Sequence, residues 1–349
     1  MTEKAKNRPS IHDVAKHAAV SAATVSKVLR GVTTVKAANS SKVHLAVKEL
    51  DYRMDPFASD LRRETRRIIS VVVPELESEF FGRLTSRLEL LAEEAGYSLV
   101  IASSHESEDR ERQLVERMHD WRVAGTILAP VRSERGTGGT VMKNRKMTGV
   151  LVDRVVANSS FDTVTADNAH ASAEVARTLI EAGHRHVLLL GLSEVSKNVR
   201  TRISAFKQEA ESICGEVTID VLLAEDPSTD SRTALAQYLD RNYPSVVYSL
   251  FQKGTLTALS EFRRRGIRCP QDISLVGFDD AEWMQATYPS VTSVVQPIKQ
   301  IAEHAFSRLL SRINGDSGYA VCRLEPCLLQ QRESLINVEP VSLHQVRIK

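Results

Sequence analysis

The residues with the plainest chemical capacity in this 349-residue chain are the adjacent carboxylates of GFDD, Asp279 and Asp280. Paired carboxylates suit acid–base chemistry, but an enzyme would need companions for them. The chain has no G-x-S-x-G, H-E-x-x-H, phosphate loop or dinucleotide fingerprint. The glycines of RSERGTGG (132–139) depart from phosphate-loop spacing, and the stretch reads as a surface loop. Cys214, Cys269, Cys322 and Cys327 form no C-x2-C pair and no Cys/His set with zinc spacing. They read as buried small apolar residues. No catalytic centre, metal or cofactor is expected, which leaves recognition. SIHDVAKHAAVSAATVSKVLRG, Ser10 to Gly31, reads as two short helices joined by a tight turn. That is either a helix-turn-helix entering a DNA major groove or a small helical hairpin of another kind. Charge favours DNA. The first 67 residues hold about twice as many Lys and Arg as Asp and Glu, whereas the whole chain carries only +2.

These residues need elements to position them. Ser10 with Asp13 forms a capping-box pattern, and Ile11, Val14, Ala15 and Ala18 follow at helical spacing. Ser21 suits the cap of a second helix striped by Val25, Val28 and Leu29, with Gly31 as its C′ residue. Only Ala18-Ala19-Val20 separates the two, and small residues permit a steep crossing. A third helix is expected over 37–50, with Val43, Ala46, Val47 and Leu50 inward. Asp51 to Arg67 is basic, contains Pro56 and reads as a linker; Ala58 to Arg63 can form one or two helical turns when supported. From Ile68, strands are expected at 68–74, 98–102, 125–130, 149–153, 186–191, 220–224, 245–250 and 273–280. Helices alternate with them at 80–95, 107–120, 168–182, 200–212, 231–241, 255–265 and 298–313. Continuous apolar strands alternating with helices predict parallel sheets covered on both faces, here in two α/β lobes. Hydrophobic residues at 42% and charged residues at 26% fit a globular protein. No apolar run approaches the ~18 residues of a membrane span, and MTEKAKNRPS lacks the apolar region of a signal peptide. A cytoplasmic protein without membrane contact is expected.

DVAKHAAVSAATVSKVLRG resembles the headpiece of the lactose-repressor (LacI) family of bacterial transcription regulators. ELDYRMDPFASDL is similar to that family's third-helix end and hinge helix. SVVVPELESEFF, EDRERQ, GTILAP, LVDR, VTADN, EAGHRHVLLLG, RTRISAF, RRRGIRCPQDISLVGFDD, YPSVTSVVQP and RES follow in the family's order, so the likeness runs from Ile11 to Ser334. The resemblance implies an all-α headpiece at 1–52, a hinge at 53–67 and a core at 68–336 shaped like periplasmic sugar-binding proteins. The amino-terminal lobe would be about 68–166 plus 298–323, the carboxy-terminal lobe about 167–294 plus 326–336, with a short tail at 337–349. It also implies a homodimer on a pseudo-palindromic double-stranded DNA operator, probing a small-molecule effector between the lobes. The tail is too short for the heptads that make some members tetramers. A periplasmic binding protein is the rival from another class; it would need a secretion signal and no headpiece.

Carried over by position, Ala22, Ala23 and Lys27 face bases, and Ser21, Thr24 and Ser26 suit phosphates. Lys27 can donate to guanine, whereas alanine can touch only a thymine methyl. Such a face reads little sequence, unless the alanines simply serve helix propensity. Leu61 takes the place of the leucine that wedges into the minor groove, with Ala58 one turn earlier. The implied effector residues are Ser78, Phe80, Phe81, Arg154, Asp167, Arg202, Phe251, Asp279 and Gln296. Four departures stand out. Ala19 replaces the turn's usual Gly, at a cost of about 1 kcal/mol in a left-handed conformation. Lys36 replaces the Ser that caps helix three, leaving Thr34 or Asn39 to do so. Met54 replaces the hinge Pro. Leu250-Phe251-Gln252 replaces an Ala-Asn-Asp triplet, removing polar ligand contacts. With Arg154, Arg202 and Arg200 retained, the expectation leans to an anionic effector, a sugar acid or sugar phosphate. A neutral sugar, or another ring stacked on Phe251, is the alternative.

Overall fold

The computed structural model describes residues 9–29, 32, 34–52, 66–133, 136–154, 159–192, 197–224 and 229–338. The chain divides into two units, Met1–Arg66 and Arg67–Lys349.

The first unit contains α1 (Ile11–His17), α2 (Ala22–Leu29) and α3 (Ala37–Glu49). Ser10 caps α1 in a reciprocal box. Its Oγ accepts from Asp13 N at 3.3 Å, and its own N–H donates to Asp13 Oδ2 at 2.8 Å. The bonds that Ser10 N and Oγ donate to Asp13 Oδ2, at 2.8 and 2.7 Å, hold the carboxyl below its ordinary range. The turn after α1 is a Schellman motif: Val20 N donates to Ala15 O at 3.0 Å and Ala19 N to Lys16 O at 3.3 Å. Ala19 therefore sits at φ 51°, the strained position its sequence context predicts. Val14, Ala15, Ala18, Val25, Val28, Val43 and Ala46 close the small core. Neither Thr34 nor Asn39 caps α3. Lys36 occupies the N-cap with no side-chain bond, because a lysine side chain has no acceptor for the first N–H groups.

The second unit contains two six-stranded sheets. In the first, β1 (Arg66–Val73), β2 (Ser98–Ser103), β3 (Val123–Leu128), β4 (Gly149–Val152), β5 (Asp162–Ala166) and β11 (Cys322–Glu325) lie in the order β11-β5-β4-β3-β1-β2. In the second, β6 (His186–Leu192), β7 (Thr218–Ala224), β8 (Val246–Ser249), β9 (Ser274–Phe278), β10 (Thr292–Val295) and β12 (Leu328–Gln330) lie in the order β12-β10-β9-β8-β6-β7. Pairing is parallel except for β12, which runs antiparallel to β10. Both faces of the inner strands are buried, which is why they read as unbroken apolar runs. In β1, Ile69, Val71 and Val73 join one cluster and Val72 the opposite one. In β6, Val187 and Leu189 face one way, Leu188 and Leu190 the other. The chain passes between the sheets three times, after Ala166, after Val295 and after Glu325. Helix Ile298–Ile313 thereby returns Ile301, Ala302, Ala305, Phe306 and Leu309 to the first lobe's core. The buried Asp162 fastens it, accepting from Arg312 Nε at 2.8 Å, Arg308 Nη2 at 3.1 Å and Val321 N at 2.7 Å.

RSERGTGG is not a surface loop throughout. Thr137–Asn144 is a helix whose Gly138 and Gly139 are buried. The cause is Glu111, 1% exposed, whose carboxylate accepts from Val131 N and Gly138 N at 2.5 Å each. Gly138 is required there, since a Cβ would fall 2.7 Å from Glu111 Oε1. The cysteines also differ from expectation. Cys322 is exposed on the edge strand β11, and the other three are only partly buried. The short strands β5, β10, β11 and β12 and the helix Glu282–Ala286 were likewise not foreseen.

Candidate functional site

Two regions carry the residues singled out by sequence. On α2, Ser21 Oγ accepts from Thr24 N at 3.2 Å and lies 2.9 Å from Thr24 Oγ1, so the helix start is capped by the predicted residue. Ala23 and Lys27, one turn apart, are exposed together with Ser21, while Thr24 and Ser26 are half-buried. Ala22 packs against the headpiece core, so its small size serves the helix crossing. The outward face thus presents one cation, one methyl and short hydroxyls. Ala58 and Leu61 lie outside the described residues.

The second region is a cavity of about 160 Å³ between the sheets of the core. The segments that follow β1, β4, β6, β8, β9 and β10 all line it. Ligands of open parallel sheets bind at such carboxyl ends. Ser78, Phe80, Phe81, Arg154, Arg202, Phe251, Asp279 and Gln296 meet there. Asp167 does not. It stands one residue before helix Asn168–Glu181 and its Oδ1 accepts from His170 N at 3.0 Å, so the orphan amides of the helix start claim it.

Arg202 is 5% exposed. Its guanidinium lies 3.4 Å from the Phe278 ring centroid, with Nε donating to Asn168 Oδ1 at 2.7 Å and Nη1 to Leu250 O at 2.6 Å. Arg154 differs from expectation. Its two terminal nitrogens each donate to one oxygen of Glu106 at 2.7 Å, and Nη1 also reaches Val131 O at 2.9 Å. Its fork is filled by a carboxylate of its own lobe. Asp153, buried at the end of β4, and Asp279, half-buried at the end of β9, hold left-handed backbones at φ 59° and 72°. Burial raises both carboxyls above their ordinary range, against the pull of Arg154 and Arg202 on the first and of Arg202 and Gln296 on the second. Gln296 donates through Nε2 to Asp279, while its buried Oε1 has no partner among the described residues. Phe80 and Phe81 meet edge-on, centroids 5.1 Å apart, and form one wall. Phe251 opens helix Gln252–Arg265, its ring filling the space over Gly254.

Glu75, Asp153, Asn198 and Lys253 also line the cavity, although sequence reasoning did not select them. A signal existed for Asp153, the acidic residue that ends LVD after an apolar run. Among the described residues there is no cluster of three or more His, Cys, Asp or Glu able to hold a metal, and no helix long and apolar enough to cross a membrane.

A capped helix-turn-helix followed by two parallel-sheet lobes around a polar cavity defines the class: a DNA-binding headpiece joined to a periplasmic-binding-protein-like core. The comparisons agree. Residues 10–55 match the model for bacterial regulatory proteins of the lacI family, and 176–335 that for a periplasmic binding protein-like domain. The HTH-type transcriptional regulator KdgR of Bacillus subtilis is 27% identical over 91% of this chain and 95% of its own. The HTH-type transcriptional repressor CytR of Escherichia coli is 26% identical over 95% and 98%. The solved Lac repressor dimer bound to operator and the anti-inducer ONPF superposes with a TM-score of 0.83 at 22% identity, covering 94% of this chain and 99% of that one. The chain thus joins a lacI-family regulatory-protein domain to a periplasmic binding protein-like domain, and over nine-tenths of its length it is similar to DNA-binding transcriptional regulators.

Proposed function

We propose that this regulator represses transcription as a homodimer on a pseudo-palindromic operator, under the control of a small hydroxyl-bearing effector in the cavity between its lobes. In this reading residues 1–52 read DNA through Ser21, Ala22, Ala23, Thr24, Ser26 and Lys27. The hinge at 53–67 contributes Ala58 and the wedge Leu61, and the lobes of 68–336 sense the effector. A dimer is supported by apolar surface beside the outer strand of the first sheet, where Leu90 and Ile101 are 50% and 38% exposed. The repressor role draws support from relatives such as CytR, named as a repressor.

The observation that carries the effector class is Gln296. A buried carbonyl without a donor is costly, and a ligand hydroxyl would satisfy it while Asp279 and Asp153 accept from others. Arg154, already gripped by Glu106, has no second fork to offer a carboxylate. This favours a neutral polyhydroxy ring. The anionic reading keeps support from Arg202 and Lys253 in the lining. Isothermal titration of the full chain with an aldose and its aldonic acid separates the two. Tighter binding of the aldose is expected. Tighter binding of the acid, lost in Arg202→Ala, would establish the sugar-acid reading instead.

A further inference from the structure

Polar contacts run from one lobe to the other at the cavity. Gln252 Nε2, on the first residue of helix Gln252–Arg265 in the second lobe, donates to Glu79 Oε2 at 2.9 Å, on the first residue of helix Glu79–Glu94 in the first lobe. Beside it, Lys253 Nζ lies 3.9 Å from Glu75 Oε2. Deeper in, Asn198 Nδ2 donates to Asp153 Oδ1 at 2.9 Å, again from second lobe to first. The two outer pairs come from consecutive residues on one helical turn and meet two carboxylates four residues apart. Each pair combines a donor from one lobe with an anion from the other. A hydrogen bond to a charged group is among the stronger polar contacts, and partial burial protects it from screening.

We propose that Gln252 and Lys253 form a latch that closes the two lobes in the absence of effector, by bonding Glu79 and Glu75 across the mouth of the cavity. Closure is then an intrinsic state of the chain, and the effector enters or leaves against the latch. The inference rests on the cavity being the effector site, but its test uses no effector. Failure of the latch would leave that reading intact, and failure of the sugar titration would leave the latch intact.

Hydrogen–deuterium exchange of the effector-free full chain tests it. Gln252→Ala should speed exchange about ten-fold at amides 80–85, in the opposite lobe, because opening exposes the start of that helix. Glu79→Ala should do the same at amides 253–258. The double variant should add little to either, since both changes break one bond. Conservative changes separate bonding from local packing. Glu79→Gln keeps an acceptor and should stay within about two-fold of the parent. Gln252→Glu sets carboxylate against carboxylate and should open the cleft at least as far as Gln252→Ala. Circular dichroism identical to the parent shows that each variant folds. Should any variant fail to fold, Glu75→Gln with Lys253→Met tests the neighbouring pair by the same readout. Exchange that changes only in the substituted residue's own lobe, or nowhere, would overturn the latch.

Discussion

Asp153 and Asp279 show what single residues contribute. Both line the cavity, Asp153 buried and Asp279 half-buried, both hold left-handed backbones, and desolvation raises both carboxyls. A carboxyl whose folded pKa lies above its unfolded value stabilises fully below the unfolded pKa and loses that contribution as pH rises through the folded one. The protein therefore carries a cost near neutrality that a ligand hydroxyl is suited to relieve. Asp153→Asn, which keeps the Oδ1 acceptor for Asn198, should unfold at a higher temperature than the parent at pH 8. The gap should shrink toward pH 4, each kcal/mol being worth about 2–4 °C in thermal denaturation. On the DNA side, Lys27 is the one exposed cation among the described positions of α2 proposed to face bases. Lys27→Ala should relax selection at one half-site position by about 1–3 kcal/mol, read by binding to an operator chosen from random DNA and to its point variants. The acidity of Asp279 was legible from GFDD, as was the place of Arg202. What sequence could not supply was the partner of Arg154. Glu106 lies 48 residues away, and only the fold brings their side chains together.

Elements reveal where local and tertiary forces part. The capping box at Ser10 and the apolar runs of β1 and β6 were readable because caps are local and doubly buried strands tolerate few polar residues. The strands CRLE and LLQ and the helix TGGTVMKN were not, since none has an apolar run and the last contains two glycines. A distant carboxylate supports that helix by accepting from Gly138 N in its first turn and from Val131 N in the segment leading to it. Glu111→Ala should leave two buried N–H groups unpaired and cost about 2–4 kcal/mol, measurable by denaturant unfolding of the core. The turn between α1 and α2 runs the other way. Ala19→Gly removes the Cβ from a left-handed position and should stabilise the headpiece by about 1 kcal/mol. Amides of α1 and α2 would then exchange about five-fold more slowly, whereas a faster rate would mean that the added freedom of the unfolded chain outweighs the relief.

For the whole molecule, the balance of charge matters more than its total. A basic first 67 residues beside a mildly acidic remainder confines phosphate attraction to one end of the chain. Binding to operator DNA should weaken steeply with salt, the logarithm of affinity falling linearly with that of salt concentration. Equal affinity for operator and scrambled duplexes at physiological salt would argue against specific recognition. The two-lobed plan was legible in the alternation of strands and helices. The exchange of chain between the lobes was not, because it depends on the last 50 residues or so dividing themselves between two sheets. That exchange bears on inheritance. The chain crosses after Ala166, Val295 and Glu325, so the stretch 298–330 completes both lobes at once. A premature stop codon anywhere between 298 and 328 deprives the second sheet of β12 and, in its earlier part, the first core of its returning helix. Late nonsense alleles of this gene should be as thoroughly inactive as early ones, and no two contiguous gene fragments can each encode one whole lobe.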